Sequence, residues 1–468
     1  MQQSGFIAAI DLGTSKIAGV AGRKNDNNTV SVLAYATTPS ENSVRRGVVH
    51  NIDEVGARVR KVVTMLENKL GETIDKVYVS LTGQSLHSFD FWETKQLAGN
   101  TVTEETLVQL KEMAGKFSHP DGKRCFAIAD MEYFLDDKAE QNPVGVPCSL
   151  IEAEYKIIVG RSSLSTNIEK SIKEKAKLKI AGTPIGIQAS AAIALTPEEK
   201  MLGCAFIDFG AGTTTLSVYK GGILRRMVVI PFGGKTITED IRALNYTEEQ
   251  AESSKIKLGS ATDKQQHKDK SKGFGGIVSP FAQKTSPLSG STVELNNAIK
   301  MRLEEIVVNI EEQIKQSGYE GELGAGLIIT GGASQLRNLD TYLTEKLKLP
   351  VRKASANKAY ISNMPELAAD PSLTQLLGLL LLGKNDCSQM QENAPVVEPK
   401  EEKIDGVEIG IETGTDTTTI NPTPPKPKKP KRPIWQPIGT LLDGLFKEED
   451  YEEDDEEKTK KQPPTTNN

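Results

Sequence analysis

Two aspartates each close a short apolar run and are followed at once by glycine and hydroxyls. Residues 9–20 read AIDLGTSKIAGV and residues 206–218 read FIDFGAGTTTLSV. In both, an apolar strand ends in a carboxylate, Asp11 or Asp208, a glycine turn follows, and a second apolar strand leaves it. Backbone N–H groups and hydroxyls in such a turn offer donors to an anion, and glycine lets a phosphate approach the main chain. Two such turns can clamp one polyphosphate, with Gly13, Thr14 and Ser15 on one side and Gly210, Gly212, Thr213 and Thr214 on the other. Lys16 adds a point cation, and Asp11 and Asp208 are placed to hold Mg2+ through its waters, since that ion takes few carboxylates and keeps much of its hydration. Either motif alone equally well closes an ordinary β-hairpin. The same layout twice, about 200 residues apart, favours a shared ligand.

A third glycine turn completes the set. Residues 327–334, LIITGGAS, form an apolar strand followed by Gly331, Gly332 and Ala333, which can pass flat beneath an adenine. By itself this is an ordinary strand-to-helix turn. The four histidines, His50, His87, His119 and His267, stand isolated and provide no general base, so slow or regulatory hydrolysis of such a ligand fits better than vigorous turnover.

The elements that must hold these turns are legible in outline. From Phe6 to about Lys384, β-branched strand patterns alternate with longer helical ones, the signature of an α/β protein, and the repeated motif divides it into two related halves. A chain of 468 residues has room for roughly three domains on a prior of about 150 each. Its 57 Lys and Arg against 63 Asp and Glu leave a net charge of -6, which offers no global field for nucleic acid. Cys125, Cys148, Cys204 and Cys387 are scattered without C-x-x-C spacing and read as reduced thiols of a cytosolic protein. The N-terminus lacks the pattern of a secretory signal, and Leu376–Leu382 is too short to span a bilayer. Residues 378–385, GLLLLGKN, imitate part of a phosphate-loop pattern but end in Asn and are filled with Leu, so they predict a buried helix; Gly233 to Thr236 lacks the first glycine of that pattern.

After Asn385 the texture changes. Residues 388–430 are rich in Pro, Thr, Glu and Lys, a composition that predicts a disordered linker. Then come a basic cluster (Lys426, Lys428, Lys429, Lys431, Arg432), an apolar segment and an acidic run from Glu448 to Glu457. On a helix, Ile434, Trp435, Ile438, Leu441, Leu442, Leu445 and Phe446 gather into one apolar stripe. Preceded by five cations, that stripe predicts a helix lying in the interface of an anionic membrane; the alternative is a helix docking on the body or on another protein.

Several stretches resemble the FtsA family of bacterial cell-division proteins, within the actin, Hsp70 and sugar-kinase superfamily: GVVHNID at 47–53, VSLTGQSL at 79–86, NPVG at 142–145, MLGCAFIDFGAGTT at 201–214 and IPFGGKTITEDI at 230–241. The resemblance covers roughly residues 5 to 384 and returns in the terminal helix, while 260–290 and the linker match poorly. It implies an actin-like two-lobed ATPase fold with ATP and Mg2+ between the lobes: subdomain 1A at 1–83 and 163–198, an inserted subdomain 1C at 84–162, 2A at 199–243 and 327–384, and 2B at 244–326. A linker at 385–432, a membrane-targeting helix at 433–447 and an acidic tail at 448–468 would follow.

By family position, Glu252 and Lys255 approach the ribose and adenine, although they equally make an i,i+3 pair on a solvated helix face, and Gly234 joins the cofactor-binding residues. Gln188 falls where actin-like ATPases keep a glutamine that orients the attacking water, and equally where a glutamine caps a helix start. Arg302 is placed to receive the acidic C-terminal tail of the tubulin-like protein FtsZ, or simply pairs with a neighbouring Glu. The implied function is a polymerising adaptor that tethers the FtsZ ring to the inner face of the cytoplasmic membrane at the division site and recruits later division proteins. The alternatives are a phosphotransferase or ATP-driven chaperone of the same superfamily, or a scaffold with a degenerate nucleotide site. A sugar kinase needs a carboxylate base in the cleft, and an Hsp70 carries a β-rich domain where this chain has linker and helix.

Overall fold

The computed structural model describes residues 5–117, 122–262 and 292–388. The chain divides into two units between Gln389 and Met390. The second unit lies outside the described residues, and with it most of the expected linker, the apolar stripe from Ile434 through Trp435, Ile438, Leu441, Leu442 and Leu445 to Phe446, and the acidic tail. Residues 263–291 also lie outside them.

The first half opens as an antiparallel meander, β1 (Ile7–Leu12), β2 (Lys16–Lys24) and β3 (Val30–Pro39). Buried residues alternate along β3 because one of its faces lies on helix α1 (Ile52–Leu70), reached through a short hairpin, β4 (Val44–Arg45) and β5 (Val48–Val49). The Asn51 side chain caps α1 by accepting from the Glu54 amide, Asp53 and Glu54 sit in its first turn, and Gly71 ends it in the left-handed conformation. Val55, Val59, Val62, Val63 and Leu66 form its buried stripe, each worth about 1.5–3 kcal/mol of transfer free energy. The chain returns as β6 (Lys76–Val79), parallel to β1.

Residues 87–161 then build β7 (His87–Gln96), α2 (Glu104–Gly115), β8 (Lys123–Leu135), β9 (Lys138–Glu140) and β10 (Leu150–Arg161). Helix α3 (Ser163–Glu169) continues as a π-helical stretch, Lys170–Lys175, and leads to β11 (Lys179–Gly182), parallel to β6, and to α4 (Gly186–Ala194) and α5 (Pro197–Leu202).

The second half repeats the plan with β12 (Cys204–Phe209), β13 (Thr214–Lys220) and β14 (Ile223–Ile230), then α6 (Gly234–Arg242), α7 (Glu248–Lys257) and α8 (Thr292–Gln316). Next come β15 (Leu327–Thr330), α9 (Leu339–Leu347), β16 (Val351–Lys353), α10 (Pro365–Ala369) and α11 (Thr374–Leu382).

Strand order runs β11-β6-β1-β2-β3 in one sheet and β16-β15-β12-β13-β14 in the first five strands of the other. Each half is thus an antiparallel meander with two parallel strands added beside its first strand. Register matches too: Asp11 opposes Ala18 and Asp208 opposes Thr215, each at the penultimate position of its strand. The second sheet continues from β14 into β7-β10-β8-β9 through the pairing of Val228 with His87. Arg225 of β14 braces that junction with a two-pronged ion pair to Glu132 at 2.6 and 3.2 Å.

The Leu-rich α11 is a buried helix, packed on α4 and on β1 and β2. A Cβ at Gly378 would stand 2.0 Å from the Ala189 carbonyl oxygen, so glycine is what lets the two helices touch.

Candidate functional site

The two hairpin turns close alike. A Cβ at Gly13 would stand 2.7 Å from the Lys16 carbonyl oxygen, and one at Gly210 would stand 2.9 Å from that of Thr213. Only a residue without a side chain fits either position unstrained. The turns also meet, for a Cβ on Gly212 would lie 2.5 Å from Oγ1 of Thr14. Thr14 is further held by the Gly47 amide, which donates to its hydroxyl at 3.2 Å. Ser15 and Thr213 remain at least partly open to solvent, whereas Thr214 turns inward and donates to the Phe232 carbonyl at 2.9 Å. Lys16 reaches Ser372, at the start of the segment leading into α11, at 2.9 Å.

Asp11 and Asp208 lie half-buried where the turns converge. Burial pushes the Asp11 carboxyl up, while donation from Ser80 (2.8 Å) and Gln375 (2.5 Å) and the charge of Lys16 hold it down. Asp208 is pushed up to about 7, first by burial and then by the charge of Asp11, with the Ser190 hydroxyl opposing. That hydroxyl is buried on α4 and makes no well-formed hydrogen bond to any protein atom. Asp208, raised by burial and by the neighbouring Asp11 charge, has no cation of its own among the described residues to offset it, and a hydrated divalent cation supplies one. Among the described residues no group of three or more His, Cys, Asp or Glu side chains gathers for a metal, so a pair suits an ion that keeps its own waters.

The third turn closes over Asp208. Gly331 has φ +90, and a Cβ there would stand 2.2 Å from Asp208 Oδ1. Ala333 comes within reach of α6: a Cβ on Gly234 would be 3.0 Å from that of Ala333, 3.5 Å from Lys255 Nζ and 3.7 Å from the Gly210 carbonyl. A Cβ on Gly332 would make only an ordinary van der Waals contact, with Ser372 Cβ at 3.6 Å. Lys255 is largely buried and donates to the Gly234 carbonyl (2.8 Å), the Thr238 hydroxyl (2.8 Å) and Glu252 (2.7 Å). Burial lowers its pKa, and Glu252 opposes the shift. The helix-face reading of Glu252 and Lys255 therefore describes only half of the pair: Lys255 is tied to the glycine turn of α6, while Glu252 stays half open to solvent.

Gln188 lies half-buried in the first turn of α4, on the stretch between Gly186, which abuts Gln375 and Thr82, and Ser190. Arg302 stands apart from this group. It holds Asp240 of α6 through two nitrogens, at 2.7 and 2.9 Å, and also pairs with Glu305. Sequence reasoning missed Ser80, Ser190, Ser372 and Gln375. Ser80 follows β6, which runs parallel to β1, so strand order would have pointed to it; Gln375 reaches Asp11 across 364 residues, and no local pattern marks it.

Paired hairpin turns facing one another from duplicated five-stranded sheets define the actin-like ATPase fold. A solved structure, the PilM-PilN type IV pilus biogenesis complex, shares it with a TM-score of 0.53 at 15% identity, covering 81% of this chain and 98% of that one. The sequence profile described as Cell division protein FtsA matches residues 205–378. Cell division protein FtsA of Porphyromonas gingivalis is 33% identical over 336 residues, 71% of this chain and 68% of the relative. Its counterpart in Neisseria meningitidis serogroup B is 28% identical over 384 residues, covering 81% and 90%. The chain belongs to the FtsA family of cell-division proteins.

Proposed function

We propose that the cleft binds ATP with Mg2+ and that the bound nucleotide controls self-association of the chain into a polymer holding the FtsZ ring against the inner face of the cytoplasmic membrane. The observation that carries this reading is the contact of Gly212 with Thr14 beside the paired carboxylates Asp11 and Asp208. It leaves one place where both glycine turns can address the same polyphosphate.

In this reading Gly13, Thr14, Ser15, Gly210, Gly212 and Thr213 offer backbone and hydroxyl donors to the phosphates, while Thr214 braces its turn from behind. Lys16 neutralises phosphate charge. Asp11 and Asp208 hold the hydrated Mg2+, which when bound supplies charge neutralisation for the phosphates. Gly331, Gly332 and Ala333 form the floor for the base, and Gly234, Glu252 and Lys255 close the ribose side. Gln188 orients water for slow hydrolysis.

The subdomain boundaries implied by the family, 1A, 1C, 2A and 2B, belong to the same proposal. So do the downstream contacts: Arg302 exchanging an internal carboxylate for one on the FtsZ tail, later division proteins recruited by the assembled polymer, and the stripe Trp435, Ile438, Leu441, Leu442, Leu445 and Phe446 entering an anionic membrane behind its basic cluster. One such helix binds reversibly, and polymerisation converts many weak contacts into avidity. No described helix is long and apolar enough to cross a membrane.

Sedimentation of the full chain with anionic vesicles, with and without ATP and Mg2+, tests the whole reading. The expected result is vesicle binding that ATP strengthens and that Leu442→Glu abolishes. Equal pelleting by the parent and Leu442→Glu removes the membrane anchor from this account; indifference to ATP removes the switch.

A further inference from the structure

A side-chain contact joins segments laid on the two phosphate turns. The Lys235 ammonium donates to Oδ1 of Asn42. Its two ends are each built onto a different turn. Asn42 sits in a loop laid on the first: the Ser40 amide donates to the Ser15 carbonyl at 3.1 Å, and the Ser40 hydroxyl to the Gly13 carbonyl at 2.6 Å. The buried Ser43 hydroxyl then locks the loop by donating to the Ser40 carbonyl at 2.6 Å. Lys235 lies in the first turn of α6, which is laid on the second phosphate turn: the Gly234 amide donates to the Gly210 carbonyl at 2.9 Å and the Lys235 amide to the Ala211 carbonyl at 2.7 Å.

The Asn42 side chain is delivered by a left-handed backbone, with φ +46 at Glu41 and +65 at Asn42. Glu41 is held there by an ion pair with Arg58 at 2.6 Å. Consecutive residues in that region persist only where the surroundings enforce them, and here they aim one amide oxygen at Lys235. A carboxylate also lies near the ammonium, that of Glu248 at 3.8 Å, but it belongs to the α6–α7 side and so cannot bridge the turns.

We propose that Lys235 and Asn42 form a clasp that sets how long the two turns stay closed on a nucleotide, acting as positioning residues that do not touch it. The inference rests on the ATP reading of the cleft. Because each partner is rigidly tied to one turn, separation of the turns breaks this contact, and the contact resists their separation.

The test is the release rate of a fluorescent ATP analogue, with Mg2+, from the full chain. Asn42→Gly removes the amide without straining a positive-φ position, and Lys235→Met removes the ammonium while keeping its stem. Each should speed release by about tenfold, the range of one charge-assisted hydrogen bond, and the double variant should be no faster than either single one. Asn42→Asp, which also tolerates this backbone and creates an ion pair, should keep release at or below the parental rate. Unchanged release in both single variants, with the parent still binding, overturns the clasp and leaves the ATP reading standing. Fast release from Lys235→Met alone overturns it as well, because the lysine would then be acting on the ligand. A parent that binds no analogue sinks the ATP reading and the clasp together.

Discussion

Gly331 lies so close to Asp208 that a Cβ built on it would stand 2.2 Å from the carboxylate oxygen, and its φ of +90 is one that L side chains rarely adopt. A Cβ on the neighbouring Gly332 would meet only Ser372 Cβ, at an ordinary van der Waals distance of 3.6 Å. Gly331→Ala therefore combines backbone strain with a clash and should lower stability by more than about 2 kcal/mol while abolishing nucleotide binding. Gly332→Val should melt close to the parent yet bind ATP weakly, because its branched side chain occupies the floor for the base. Paired thermal melts and ATP titrations separate the two effects.

Asp208 makes stability in the absence of nucleotide sensitive to pH. Its carboxyl is raised from 3.8 to about 7, so between those values the folded chain holds a proton that the unfolded chain has lost. Stability without nucleotide should fall as pH rises from about 4 to 7, and Asp208→Asn should flatten that part of the curve. Binding of Mg-ATP should release up to one proton and tighten as pH rises toward 7. Calorimetry in buffers of different ionisation enthalpy measures the proton directly.

Burial pushes the Asp11 carboxyl up, and Ser80 and Gln375, which donate to it, oppose that push. Ser80→Ala and Gln375→Leu should each weaken Mg2+-dependent ATP binding by about tenfold to a hundredfold, as loss of supporting shells around metal-binding carboxylates does. Binding measured without Mg2+ should change far less. Equal losses in both conditions would assign these residues to packing.

Arg302 already has two carboxylate partners, Asp240 and Glu305. Arg302→Gln should reduce binding of an FtsZ tail peptide, and Asp240→Asn, which frees the guanidinium from its internal partner, should increase it. A peptide that binds both variants like the parent removes Arg302 from the partner site.

The parts of the site written in consecutive residues were legible from the sequence. Asp11 with Gly13–Lys16, Asp208 with Gly210–Thr214, and Gly331–Ala333 each carry strand, turn and ligand chemistry within a few positions, and their repetition points to a shared cleft. The decoy at 378–385 was also readable, because leucine at every intervening position suits a buried helix and no phosphate loop. What the sequence hid depends on distant segments meeting. Gln375, Ser372 and Asn42 sit in unremarkable contexts and acquire meaning only when α11 and the β3–β4 loop pack beside the turns. The continuation of the second sheet from β14 into β7 was likewise unreadable, since edge strands record no partner in their own residues.

The central claim is that one Mg-nucleotide is held between the two glycine turns, and a calorimetric titration of the full chain with ATP, with and without Mg2+, tests it most directly. Single-site, Mg2+-dependent binding is expected in the parent. Asp208→Ala should weaken it by removing a carboxylate from the cation. Gly212→Val should weaken it too, because a side chain there drives into Thr14, only 2.5 Å from its first carbon, and parts the turns. A parent that gives no binding heat contradicts the account, and so do the two variants binding ATP as the parent does.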